Sequence, residues 1–160
     1  MKSILIIFIG TFIFNIGFAQ TNTAVFVYRF TDSSVPPPYH RSYSIDVSES
    51  TVHLTIDSYG DILLDETYTI LPEQYNDFIK KLIALKLKNK PENIDTHGCS
   101  GGTEDSFTIK FPDSKKTMAG SVYHCGGKDY GNLKGKIADA KDLFKSMVPD
   151  FAGKMESTSD

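Results

Sequence analysis

The stretch HGCSGGTEDSFTIKFPDSKKTMAGSVYHCGGKDYGN, residues 97–132, decides how this chain is organised. It contains both cysteines, and its centre alternates apolar and polar side chains on either side of a polar turn at residues 112–116. This pattern predicts a β-hairpin with strands near residues 107–111 and 117–123. Pairing the strands places Cys125 roughly opposite Thr103, a few residues from Cys99. We therefore predict a disulfide between the two cysteines that closes the hairpin.

The first residues predict the compartment. Lys2 precedes an apolar run at residues 4–18, and small residues offer a cleavage site after Ala19, which is the pattern of a secretory signal peptide. The run is shorter than the roughly 18 apolar residues that a membrane-spanning helix needs. We expect residues 1–19 to be removed and the mature protein to be exported, periplasmic or secreted, with no membrane contact after cleavage. Paired cysteines in an exported chain usually form a disulfide.

The charge of the chain argues against a nucleic-acid partner. The leader carries one basic residue and no acidic one, so the mature chain has 16 basic and 20 acidic side chains and a net charge of −4. No arginine-rich patch interleaved with aromatic residues is present. The densest basic group lies on or after a predicted helix and is interpreted as a solvated polar face; its members are Lys80, Lys81, Lys86, Lys88 and Lys90.

Hydrophobic periodicity predicts the fold class. Alternation near residues 24–30, 41–48, 51–57 and 62–70 indicates strands joined by short turns, as in a meander. Residues 71–87 carry a helical apolar stripe. A second apolar stripe, marked by Leu133, Phe144 and Phe151 among others, predicts a helix that Pro149 ends. We predict one α+β domain at residues 20–152, an antiparallel β-meander and hairpin sheet packed against two amphipathic helices, followed by a disordered tail at 153–160.

Three other interpretations attach chemistry to the hairpin. A Cys₂His₂ zinc site could use His97, Cys99, His124 and Cys125, although adjacent residues of an extended strand point to opposite faces. A serine hydrolase could use Ser100 within G-x-S-x-G together with Asp113 and His124, although that motif requires a preceding strand and a following helix. The glycine-rich residues 126–132 before the second predicted helix could hold an anion, or simply form a turn with positive φ.

A candidate binding surface combines two exposed-looking segments. One follows the three consecutive prolines at residues 36–38, which impose an extended path, and the other belongs to the hairpin. Aromatic, imidazole and guanidinium groups suit recognition of a protein partner. The surface consists of Tyr39, His40, Arg41, Tyr123, His124 and Tyr130, although His40 and His53 are also interpreted as ordinary surface residues.

The segments PPPYHRSYSIDV (36–47), LPEQYNDFIKKL (71–82) and GCSGG (98–102), with alternating strands between the first two, resemble small exported two-cysteine bacterial proteins of α+β type. In size and plan the chain is also similar to small protease-inhibitor and toxin-immunity proteins. That resemblance implies a non-catalytic binding module with a protein partner and no cofactor. An open sheet edge adds weak homodimerisation as a further expectation.

Overall fold

The computed structural model describes residues 23–93 and 99–159. Eight strands and three α-helices make a mixed α+β fold, so the predicted class is confirmed. The strands are β1 Val25–Thr31, β2 Ser42–Val47, β3 Thr51–Ser58, β4 Asp61–Thr69, β5 Lys88–Asn93, β6 Thr103–Lys110, β7 Met118–Cys125 and β8 Lys128–Lys134. The helices are α1 Pro72–Ala84, α2 Ile137–Ser146 and α3 Phe151–Ser157.

All eight strands form one antiparallel sheet in the order β4-β3-β2-β1-β6-β7-β8-β5. The first four strands are sequential neighbours, as the meander prediction requires. β6 and β7 form the predicted hairpin, with Thr103 opposite His124, one residue from the predicted partner. The predicted disulfide joins Cys99 to Cys125, whose Cα atoms are 6.0 Å apart.

One face of the sheet is apolar because inward positions alternate with polar ones along each strand. Phe26 and Tyr28 of β1 are fully buried on this face, beside Phe107 of β6. The core also contains Tyr43, Ile45, Val47, Val52, Leu54, Ile56, Ile70, Tyr75, Phe78, Leu82, Ile109, Val122, Leu133, Ala140, Phe144 and Val148. The two longer helices cover this face, and no helix among the described residues covers the opposite one, which we call the open face.

The helices pack on the sheet through two phenylalanines. Phe78 of α1 meets the Phe26 ring edge-on with 5.5 Å between centroids, and Phe144 of α2 meets Phe78 at 5.1 Å. Phe144 also contacts the rings of Tyr28 and Phe107, with centroid distances of 5.8 and 5.9 Å. Each such ring contributes about 1.5–3 kcal/mol by leaving water. The rings therefore join the meander, the hairpin and both helices into one core.

Helix α1 begins where the sequence predicts. Pro72 occupies its first turn, where a missing N–H costs nothing, and the Gln74 side chain accepts a hydrogen bond from the Leu71 N–H at 2.8 Å. The helix ends at Ala84. Lys86 then adopts a left-handed conformation with φ of 54° and turns the chain into β5.

Two element predictions are wrong, and two strands were not predicted. The second helix is shorter, because Leu133 lies in β8 and Phe151 begins a separate helix after Pro149. β5 and β8 were not predicted as strands. The tail predicted to be disordered from residue 153 instead forms most of α3, which the Asp150 side chain caps through the Gly153 N–H. The predicted leader and its cleavage site lie outside the described residues.

Within the described ranges, no helix combines the length and the apolar character needed to cross a membrane.

Candidate functional site

The first half of the predicted binding surface is mostly buried. Tyr39 is 75% exposed at the end of a short 3₁₀ turn, Pro37–Tyr39. His40 is only 4% exposed and stacks on the Tyr59 ring at 3.8 Å, so the expectation that it lies on the surface is wrong. Arg41 donates to the His40 carbonyl at 2.6 Å and to the Thr158 carbonyl. Its guanidinium therefore ties the β1–β2 connection to the end of α3.

The second half of the predicted surface lies on β7 and β8. Tyr123 and Tyr130 pair across these strands, and Tyr130 is buried. The Tyr123 hydroxyl accepts a hydrogen bond from the Gly102 N–H at 2.9 Å, which holds the disulfide loop against β7. Gly101 in that loop approaches Ser34 of the β1–β2 connection. The structure thus brings both halves to one end of the sheet, but leaves few of their side chains free to bind.

Asp105 on β6 is the centre of a buried polar network that the sequence interpretation missed. Its side chain has 0% exposure and accepts three hydrogen bonds: from the Tyr28 hydroxyl at 2.6 Å, from His124 Nε2 at 2.9 Å and from Lys141 Nζ at 2.7 Å. A signal was present in the sequence. Asp105 and Phe107 are two residues apart on one strand, so their side chains point to the same, inner face. Alternation alone therefore places a carboxylate in the core, where it needs hydrogen-bond partners.

The protonation state of this network follows from its geometry. His124 Nδ1 also meets Asp129 Oδ1 at 2.7 Å, so both ring nitrogens face carboxylate oxygens and both must donate. Burial lowers the pKa of His124, but the hydrogen bonds to Asp129 and Asp105 outweigh it, and the pKa lies above its ordinary 6.5. Burial raises the pKa of Tyr43 to about 12 and raises the pKa of Tyr28 still further. The tyrosines therefore act as neutral hydrogen-bond donors.

The serine-hydrolase alternative gains no support from these contacts. An imidazole that donates from both nitrogens has no lone pair to take a proton from Ser100. Ser100 is exposed, and its carbonyl lies 3.8 Å from Cys125 Sγ. Asp113 lies in the β6–β7 turn, in a left-handed conformation, rather than beside His124.

The zinc alternative loses two of its four ligands. Cys99 and Cys125 are joined to each other, and disulfide sulfurs do not offer the thiolates that zinc binds. His97 lies outside the described residues. Among the residues described, no group of three or more His, Cys, Asp or Glu side chains is placed to hold a metal ion.

The anion-binding alternative at residues 126–132 is also changed by the structure. Gly126 and Gly127 have φ of 57° and 73° and form a two-residue turn between β7 and β8. Positive φ at both positions suits a tight hairpin. The segment therefore does not lead directly into a helix N-terminus, and the turn interpretation is confirmed.

The two edges of the sheet differ in their protection against further strand pairing. β5 carries Pro91, Lys88 and Lys90, and its pairing with β8 is irregular, which are features that block an added strand. β4 is nine residues long, pairs with β3 along its whole length with a single irregularity, and contains neither proline nor lysine. Within the described residues, β4 is thus the less protected edge.

Exposed apolar side chains collect at one end of the β4 edge. Ile62 is 58% exposed and Leu63 is 41% exposed, next to the irregularity in the β3–β4 pairing. Tyr59 in the preceding turn is also exposed and is fixed by its hydroxyl, which donates to the Val35 carbonyl at 2.6 Å. Tyr59 and Ile62 line a groove of about 620 Å³ on the open face of the sheet. We call Tyr59, Ile62 and Leu63 the apolar end of β4.

No protein-family model, curated protein or solved structure matches this chain.

Proposed function

We propose that the protein is an exported, non-catalytic binding module that takes an extended segment of a protein partner along the β4 edge. The observation that carries this proposal is the nine-residue β4 edge, which pairs with β3 with a single irregularity and has an apolar end, set against the protected β5 edge. In such strand addition the backbone hydrogen bonds supply affinity and side-chain pockets supply specificity. The groove beside Ile62 offers one such pocket.

The charge of β4 favours a different protein over a second copy. The antiparallel register that pairs all nine residues of β4 with a second β4 is centred on Asp65, so two Asp65 side chains would face each other. Directly opposed like charges destabilise a sheet. Asp61 adds to the acidic character of this edge, whereas Glu66 is already paired with Lys154, so a partner strand that carries lysine or arginine fits better.

Export is part of the proposal and rests on two features. The apolar leader at residues 4–18 has the pattern of a signal peptide, and the Cys99–Cys125 disulfide requires an oxidising compartment to persist. An inhibitor or immunity-type role is the form of this function in which the partner is an enzyme. Blocking an active site needs no catalytic group on the inhibitor, which agrees with a site built from backbone and apolar side chains.

The test compares edge variants of the mature protein. Thr67→Lys and Ile62→Lys add a charge to the β4 edge, while Thr108→Lys adds one to the same open face at the centre of the sheet. A partner captured from the native envelope or medium is identified and purified, and its affinity for each variant is measured. We expect each β4 variant to weaken binding at least about tenfold, which corresponds to about 1.4 kcal/mol, and Thr108→Lys to have little effect.

Hydrogen exchange provides the second arm. Partner binding by strand addition protects those β4 amides that point away from β3, and leaves β5 amides unchanged. A purified partner whose affinity is insensitive to both β4 variants, and which protects no β4 amide, would contradict the proposal.

A further inference from the structure

An apolar groove lies between the end of α1 and the β6–β7 hairpin, near the edge of the sheet that carries β5. Its volume is about 360 Å³. Six apolar side chains line it: Leu82, Ile83, Leu87, Ile109, Phe111 and Met118. The groove shares no residue with the apolar end of β4, so it does not depend on the function proposed above.

The shape of the groove follows from how α1 ends. Lys86 reverses the chain after the helix, with its N–H bonded to the Ile83 carbonyl at 3.2 Å, and Leu87 then turns back against the hairpin. Ile83, one helical turn earlier, is left 58% exposed. Pockets that hold small ligands measure about 300–1,000 Å³ and are lined mainly by apolar side chains, so this groove lies at the small end of that range.

Two lysines line the groove. Lys86 and Lys116 belong to its lining, in which the described residues include no acidic side chain. Lys88 and Lys115 are close to these two in sequence but lie outside the lining. This local positive charge stands against the net negative charge of the whole chain. Lysine stems can lie along an apolar wall while their ammonium groups stay in water. The arrangement complements a molecule with an apolar body and an anionic head.

We propose that this lysine-rimmed groove binds a single-chain anionic amphiphile of medium length. The alkyl chain lies against Ile83, Phe111 and Met118, and the anionic head contacts the ammonium groups of Lys86 and Lys116. The lysine group that the sequence presented as a solvated face thereby acquires a specific role at one of its positions, Lys86.

The experiment titrates the purified mature protein with dodecanoate below its micelle concentration and follows the heat of binding. Dodecyltrimethylammonium, with the same chain and a positive head, and butanoate, with the same head and a short chain, are the comparison ligands. We expect one dodecanoate per protein, and binding at least tenfold weaker for each comparison ligand.

Variants locate the site. The double variant Lys86→Gln/Lys116→Gln and the single variant Ile83→Gln should each weaken dodecanoate binding at least tenfold. Lys115→Gln, a neighbouring exposed lysine outside the lining, and Ile62→Gln, at the β4 edge, should change it less than twofold. All five substituted positions are exposed, and unchanged thermal unfolding of each variant confirms that it folds.

Several outcomes overturn the proposal. Equal binding of the cationic amphiphile, many weak sites per protein, or equal effects of Lys115→Gln and the double variant would show non-specific adsorption. Absence of dodecanoate binding up to its micelle concentration would also reject the proposal. Dimerisation that Ile83→Gln abolishes would show that a second copy, and not an amphiphile, covers the groove. Ile62→Gln alters only the β4 edge. Rejection of the amphiphile site is therefore distinguishable from rejection of the proposed partner binding at β4.

Discussion

At the level of single residues, Asp105 connects more of the structure than any residue of the predicted surface. It lies on β6, and its three donors come from β1, β7 and α2. A buried carboxylate costs several kcal/mol to desolvate, and that cost is offset only when all its oxygens are satisfied. The network therefore favours the one register in which Tyr28, His124 and Lys141 all reach the same side chain.

Replacing Asp105 with asparagine tests this role. The amide keeps the shape but loses the charge, and its NH₂ group cannot accept from Lys141 or His124. We expect a loss of about 3 kcal/mol in the free energy of unfolding, measured by urea titration. Asp129→Asn removes an exposed partner of the same histidine and should cost less than about 1 kcal/mol. Equal losses for the two variants would contradict a central role for Asp105.

The pH dependence of stability should report on His124. Its folded pKa is raised above the ordinary 6.5, so the folded state holds the proton more tightly than the unfolded chain. The stabilisation is therefore fully present below pH 6.5, and is lost as pH rises through the folded pKa. The charged groups facing the ring are Asp105, Asp129 and, across Asp105, Lys141.

The measurement is the free energy of unfolding of wild type and His124→Gln from pH 5.5 to 9. We expect the stability advantage of wild type over the variant to be largest near pH 6 and to shrink as pH rises. In the Asp129→Asn background, the stability advantage of His124 over the His124→Gln variant should shrink at lower pH, because the negative charge that helps raise the pKa of His124 is lost. A gap between wild type and His124→Gln that is constant with pH, or grows with pH, would contradict this account.

At the level of elements, sequence periodicity predicted those segments in which one pattern dominates. β2 and β3 alternate cleanly, and α1 carries a full apolar stripe, so their type and approximate ends agree with the structure. β5 and β8 carry no such pattern. β5 contains Pro91 and mostly polar residues, and β8 consists mostly of polar residues with one glycine, so both depend on a neighbouring strand rather than on their own propensity.

The candidate site was predicted less well than the fold because burial depends on tertiary contacts. The disulfide could be predicted from two cysteines and a hairpin. The stacking of His40 on Tyr59 and the hydrogen bond from Arg41 to Thr158 could not be predicted from the sequence. These partners lie 19 and 117 residues away in the chain. The β4 edge was also hidden, since the order of strands in the sheet decides which strand has a free side.

Helix α3 offers a test at this level, because its residues from 153 onward were expected to be disordered. The Phe151 ring meets Tyr43 edge-on at 5.0 Å, and Lys154 donates to Glu66 at 2.6 Å while lying over the Tyr68 ring. Because Phe151 is only partly buried, we expect Phe151→Ala to cost about 2 kcal/mol in the free energy of unfolding. Ala152→Ser, exposed on the same helix, is the control and should be neutral. No loss in Phe151→Ala would mean that α3 contributes little to the fold.

At the level of the whole molecule, the part of the chain that the structure describes leaves one face of the sheet uncovered by helices and one edge, β4, less protected than the other. The helices bury the inner face against a single aromatic core, so binding surfaces are left at the periphery. The proposed partner strand and the proposed amphiphile would use opposite edges. Such separation lets the two sites be tested one at a time, since a variant at either edge leaves the core intact.

The disulfide acts on the whole chain and gives the last prediction. Cys99 and Cys125 are 26 residues apart, and closing a loop of this length restricts the unfolded chain by about 3.5 kcal/mol in the chain-entropy model. Reductant should therefore lower the free energy of unfolding of wild type by about 3–4 kcal/mol and move its urea midpoint down. The Cys99→Ser/Cys125→Ser variant should match reduced wild type and should not respond to reductant. Intact mass before and after reduction checks that two thiol hydrogens are gained. If the mass shows that reduction is complete but the urea midpoint of wild type is unchanged, the loop restricts the unfolded chain far less than its length indicates.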